Sequence, residues 1–186
     1  MYKRQPLHSD VASLWSDRIA SSLADFHAEY SLRDGPRREE LRQRSARYAQ
    51  SELFDWVLGQ MEAAGRVEIR GSVVCLTGHS IEFSEEENVL RQRVEERVRT
   101  RDWTALQDAA GLARSLGISP STLDPVLGAL QSLRIVINLE GGMLLHVDIV
   151  AEARETLRTH LEENASVTVS AYRALMDCNR KLSLIH

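Results

Sequence analysis

One pattern occurs twice in this chain and limits the folds open to it. An apolar helical stretch runs, almost without a linker, into two short extended segments around a glycine turn. In residues 126–146, VLGALQSLRIVINLEGGMLLH, Leu127, Leu130 and Leu133 fall at helical spacing. Ile135-Val136-Ile137 then changes to β-branched character, Glu140-Gly141-Gly142 supplies a turn, and Met143-Leu144-Leu145 returns. The earlier copy is residues 57–76, VLGQMEAAGRVEIRGSVVCL. There Val57, Leu58 and Met61 lead through Gly65 to Val67 and Ile69, a turn at Arg70-Gly71-Ser72, and Val73-Val74-Cys75. Both copies open on Val-Leu-Gly, and Val57 and Val126 lie 69 positions apart. The 186 residues therefore read as a tandem repeat: two units of about 70 residues and part of a third. A unit this small buries only about 60% of the surface its unfolded chain exposes.

Met1–Gln5 carries no structural pattern and reads as a non-native tail. The spacing predicts a helix over residues 10–30 with Val11, Leu14, Trp15, Ile19, Leu23 and Phe26 in one apolar stripe. Asp34-Gly35-Pro36 breaks it, and residues 37–48 restart as a short polar helix with Leu41 inward. Ser51 is expected to cap the next helix, over residues 52–64, which Gly65 ends. The result is a helix-turn-helix followed by a β wing, over residues 6–83.

A second unit is expected over residues 84–147. Ser84-Glu85-Glu86-Glu87 spells a capping box that opens a helix to Thr100, with Val89, Leu90, Val94 and Val98 inward. Arginines 91, 93, 97 and 99 alternate with glutamates, and Glu87/Arg91 and Glu95/Arg99 suggest a self-paired, solvated face. Trp103-Thr104 reads as an extended lead into a helix over residues 106–116. Ser119-Pro120 then starts a third helix, which Pro125 should kink or delay. Residues 148–186 read as the truncated start of a further unit. Its helix over residues 149–162 turns Ile149, Val150, Ala153, Leu157 and Leu161 inward, with Asn164 as punctuation. Residues 167–169 are extended, residues 170–176 are helical, and Asn179-Arg180-Lys181 opens a third helix. The expected class is mainly α with small β-hairpins (α+β), as tandem domains forming an elongated arm.

Composition excludes several functions. No apolar run approaches the ~20 residues that cross a bilayer, and no secretory signal is present, so no membrane partner is expected. Cys75 and Cys178 are far apart in sequence and suit a reducing compartment, hence a cytoplasmic protein. There is no phosphate loop, no His-Glu-x-x-His, no Gly-x-Ser-x-Gly and no Cys/His cluster, so neither a metal site nor a catalytic residue is expected. His79 and His146 read as surface or strand-end residues. With 27 acidic against 23 basic residues, any nucleic-acid contact must be a local patch. A helix-turn-helix offers the start of its second helix to a groove. Gln50-Ser51-Glu52 and Ser119-Pro120-Ser121 lack the cations such contacts need, so units one and two read as spacers. Asn179-Arg180-Lys181, with Arg173 one helix earlier, places two cations against a helix dipole, an arrangement an anionic partner would explain.

These residues carry a resemblance. LADFHAEYSLRDGPRREELRQR, residues 23–44, resembles the LxxYHxxxPLRxGxxREELR signature of the C-terminal winged-helix region of the bacterial selenocysteine-specific elongation factor (SelB family). VTVSAYRALMDCNRK, residues 167–181, is similar to that family's last winged helix, hTvaeFRdxhGxSRKyalplLEyhD. The resemblance implies an RNA-binding and connecting region, the second and third of four winged helices plus the start of the fourth. It would join a GTPase–selenocysteinyl-tRNA part, which is not in this chain, to the mRNA hairpin that marks UGA for selenocysteine. It further implies that Tyr172, Arg173, Asn179, Arg180 and Lys181 face RNA, that GTP and magnesium belong to the absent part with no cofactor here, and that partners include the ribosome. The simplest assembly is a monomer. Asp177 stands where the family has glycine and Asn179 where it has serine, and residues 182–186 do not match and read as non-native. Two other readings remain open: a winged-helix protein-interaction scaffold, and a DNA-binding transcription regulator, which the lack of a basic recognition helix disfavours.

Overall fold

The computed structural model describes residues 9–100, 108–139, 141–164 and 166–176. It divides into two compact units, residues 1–82 and 83–186.

Unit one runs α1 (Ser9–Glu29), α2 (Arg38–Ser45), α3 (Ser51–Ala63), β1 (Val67–Arg70) and β2 (Val73–Leu76). The apolar period of α1 delivers Ile19 and Leu23 to a core completed by Leu41 of α2, by Phe54, Val57, Leu58 and Met61 of α3, and by Val67 and Val74 of the wing. The first turns of the α1 stripe are not part of it: Val11 and Leu14 remain exposed. Ser51 is the first helical residue and not the cap. Gln50 occupies the N-cap position without a side-chain bond to the helix. Gly65 ends α3 at φ +66°, a left-handed conformation that glycine adopts without Cβ strain.

The stretch that reads as a simple break after α1 does more than interrupt. The Val74 amide donates to the Pro36 carbonyl at 3.0 Å and the Arg38 amide to the Ser72 carbonyl at 3.2 Å. Arg37 thereby bridges antiparallel to Val73. The chain between α1 and α2 is in effect a third strand on the wing's outer edge.

Unit two repeats the plan with α4 (Glu85–Arg99), α5 (Ala109–Leu116), α6 (Pro120–Ser132), β3 (Val136–Asn138) and β4 (Leu144–His146), and continues into α7 (Val147–Glu163) and α8 (Val169–Met176). The 69-residue offset carries buried Phe54, Val57, Leu58, Met61 and Val67 onto buried Leu123, Val126, Leu127, Leu130 and Val136. After the turn the offset becomes 70, because β1 and β2 pair Val67 with Leu76 while β3 and β4 pair Val136 with His146. The second wing's turn is one residue longer.

Local signals in unit two are mixed in their outcome. Ser84 and Glu87 form the capping box, with reciprocal bonds of 3.3 and 2.8 Å. That commitment takes Glu87 out of the expected pairing. Arg91 pairs with Glu95 at 3.2 Å and Arg99 with Asp148 at 3.3 Å. Val89 and Leu161, expected inward, are exposed. Helix α5 starts at Ala109 because Asp108 accepts from the Gly111 amide, and α6 starts at Pro120, Pro125 notwithstanding. Trp103-Thr104 lies outside the described residues.

Arg134 sits at Gly65's repeat position with φ +58°, where a side chain costs about 1–2 kcal/mol. Its side chain is exposed. Arg134→Gly is therefore expected to stabilise unit two by about 0.5–1 kcal/mol after the added unfolded-state entropy, read as a higher urea midpoint.

Candidate nucleic-acid interface

The two complete helix-turn-helix units present polar, uncharged or acidic helix starts. At α6 the Ser119 hydroxyl accepts from the Thr122 amide at 3.2 Å and lies 2.8 Å from both the Ser121 and Thr122 hydroxyls. These groups satisfy one another and leave no cation for a phosphate. At α3 the first turn carries Glu52, and Asp55 pairs with Arg38 at 3.3 Å.

At α8 the arrangement differs. Thr168 caps the helix, accepting from the Ala171 amide at 3.2 Å through its hydroxyl. Tyr172 is half-buried, and Arg173 follows it on the same helix, which packs on α7. Asn179, Arg180 and Lys181 lie outside the described residues, so Tyr172 and Arg173 are the pair that the structure sets on one element.

The signature residues 23–44 are positioned by the wing. Arg33 stacks 4.8 Å over the Phe26 ring and pairs with Glu40 at 3.5 Å, while Arg44 lies 5.3 Å over the same ring and pairs with Glu29 at 3.0 Å. Asp34 pairs with Arg70, which also binds Glu68 at 2.6 Å. That guanidinium holds the Glu68 carboxyl below its ordinary range. Glu39 is held down to about 2 by bonds from Arg42 and Gln43. Arg33, Asp34 and Arg44 of the motif are thus engaged in joining α1, α2 and the wing.

His27 belongs to the same motif and is its most unusual group. Its Nε2 accepts from the Leu76 amide at 3.3 Å, linking α1 to β2, and its ring stacks on His79 with centroids 3.5 Å apart. His79, expected at the surface, has a fixed place in this pair, its Nε2 lying 3.3 Å from the Arg33 carbonyl. Burial first, then the charge of His79, lowers the His27 pKa from 6.5 to about 4. The unfolded chain therefore takes up this proton first as pH falls. The contribution is complete above pH 6.5 and is lost between pH 6.5 and about 4. With part of the charge screened by solvent, the expected loss is about 1–2 kcal/mol. Urea midpoints across that range test this, and His27→Gln, which keeps an acceptor for Leu76, should flatten the curve.

His146 stands at the end of β4, as the sequence suggests. It is buried, and its Nδ1 accepts from the Asp148 amide at 3.1 Å, so it caps α7. Burial, chiefly, lowers its pKa.

Among the described residues no group of three or more His, Cys, Asp or Glu is placed to hold a metal ion, and no helix is long and apolar enough to cross a membrane.

Three helices, a helix-turn-helix and a two-stranded wing, built twice, define a tandem winged-helix protein. Residues 20–76 match the family described as elongation factor SelB, winged helix. Over 178 residues, 96% of this chain, the sequence is 22% identical to the selenocysteine-specific elongation factor of Escherichia coli (strain K12). The chain is thus a tandem winged-helix protein similar to the SelB family, and it spans 28% of that relative's length.

Proposed function

We propose that this chain is the connecting and RNA-binding region of a selenocysteine-specific elongation factor. The observation that carries the reading is the collinear similarity over 96% of the chain, anchored by the family match on unit one. In this reading units one and two act as a spacer, and the segment after α7 grips an mRNA hairpin at a UGA codon. Arg173, Arg180 and Lys181 supply charge to phosphates, and Tyr172 and Asn179 flank them. GTP, magnesium and selenocysteinyl-tRNA bind a GTPase part outside this chain, and the spacer holds that part near the ribosome by raising its effective concentration. Catalysis belongs to that part, and the whole works in the cytoplasm as a monomer.

An acidic net charge suits a spacer, which needs no phosphate contacts of its own along most of its length. Fluorescence anisotropy of a selenocysteine-type hairpin across a salt series tests the reading. The Arg173→Ala, Arg180→Ala and Lys181→Ala triple variant should lower the slope of log affinity against log salt by about 0.7–0.9 for each phosphate it no longer neutralises. Equal slopes in both proteins would remove the assigned residues from the RNA contact.

A further inference from the structure

Unit one carries a cationic feature of its own, on the turn that leads into its helix α3. A cleft of about 290 Å³ lies between the middle of α1 and the turn joining α2 to α3. Trp15, Arg18, Arg44, Arg47 and Tyr48 line it, and no carboxylate does. A neighbouring hollow of about 550 Å³ shares Arg18, Arg44 and Ser45 and adds Ser21, Ser22 and one acid, Asp25.

The turn that presents these groups is held firmly. Ala46 packs on the core and Ala49 is buried within it, and the Ala49 amide donates to the Ala46 carbonyl at 2.8 Å. Arg42, itself clamped by Glu39, donates to the Ala49 carbonyl at 2.8 Å. Between the two anchored alanines, Arg47 and Tyr48 are forced outward. Tyr48 is 95% exposed, an apolar ring that contributes nothing to packing. Arg18 and Arg47 have no hydrogen bond or ion pair among the described residues, whereas most other arginines of unit one are paired. Trp15 packs partly against the core and forms the cleft's apolar floor.

Unpaired guanidinium forks match phosphate oxygens, and a flat exposed ring on a rigid turn matches the face of an unpaired base. We propose that this cleft binds a single-stranded stretch of RNA, with phosphates on Arg18 and Arg47 and one base stacked on Tyr48. An acidic protein segment would use the cations but not the ring. This contact is separate from the hairpin grip assigned to the segment after α7. It makes unit one a second RNA-contacting body and not a passive spacer.

The test is anisotropy of labelled oligouridine, and of the same backbone without bases, with the full chain. The Arg18→Ala plus Arg47→Ala variant should reduce the salt slope by about 1.4, at ~0.7 per single-strand phosphate. Tyr48→Ala should weaken oligouridine about tenfold, within the stacking range, and leave the base-free strand unchanged. The loss from Tyr48→Ala should be the same with or without Arg180→Ala plus Lys181→Ala, so failure of the hairpin reading would not be confused with failure here. All replaced cleft side chains are exposed, and matching circular-dichroism melts verify folding. Absence of oligouridine binding at low salt would overturn the proposal. So would unchanged binding in the cleft variants, or competition by polyglutamate that Tyr48→Ala does not affect.

Discussion

Gly35→Ala should destabilise unit one by about 3–4 kcal/mol, more than most surface-loop changes. A Cβ at this position would run into the Val74 carbonyl oxygen, with the Val74 carbonyl carbon at 2.8 Å and the Cys75 Cβ at 3.5 Å behind it. Those are backbone and β-carbon atoms, so no flexible side chain can yield. The edge must separate, and with it the bonds from Val74 to Pro36 and from Arg38 to Ser72. The Asp34–Arg70 pair, one residue away, loses its geometry as well. Gly59 is the control. It is exposed within α3, and nothing lies within 4 Å of an added Cβ. Gly59→Ala should instead stabilise by about 0.5–1 kcal/mol. Urea unfolding followed by tryptophan fluorescence reads both, since Trp56 lies in α3. Equal effects from the two substitutions would mean that the wing edge does not close on Gly35.

Phe54→Ala is expected to cost about 3–5 kcal/mol. Phe54 is 1% exposed at the start of α3 and sits among residues of α1, α2, α3 and the wing. A core this small has few neighbours able to collapse into the void, so both the transfer and cavity contributions should persist. Against a typical stability of about 5–15 kcal/mol, a large share of unit one's folded population is at risk. The repeat supplies a comparison, because Leu123 occupies the corresponding position in unit two. Leu123→Ala removes less volume and should cost about 2–4 kcal/mol. A cost below about 1 kcal/mol at Phe54 would contradict the core described for unit one.

What the sequence made legible was whatever rests on local period or chemistry. The helix-to-hairpin pattern places Val67 and Val136 at buried wing positions. The Ser84 capping box forms because all its parts lie within four residues. Gly65 and Gly117 end their helices in left-handed geometry as such residues do.

What stayed hidden depends on distant neighbours. Gly35 reads as a helix breaker until Val74, 39 positions later, is seen against it. His146 reads as a strand end, yet α4 and α7 both pack on β4 and bury it. The left-handed backbone of Arg134 becomes visible only when the 69-residue offset sets it at the position of Gly65. Of the residues assigned to RNA by the motif, Tyr172 and Arg173 share α8, while Arg180 and Lys181 lie outside the described residues. The Tyr48 cleft was illegible because Tyr48 reads as the end of a helix. The structure ends α2 at Ser45 and puts Arg47 and Tyr48 in the turn. The signal was present: an Arg-Tyr pair between two alanines, with no apolar partner at helical spacing.

Discrimination between RNAs tests a hairpin-gripping role for this chain. The chain, with Arg18→Ala and Arg47→Ala installed to silence the cleft, is titrated with a selenocysteine-type hairpin and with an RNA of equal length and composition that cannot fold into one. Near physiological salt the hairpin should be bound at least about tenfold more tightly, within the usual specific-to-nonspecific span. Equal affinity for the two RNAs, or binding of neither, would contradict a hairpin-gripping role for this chain.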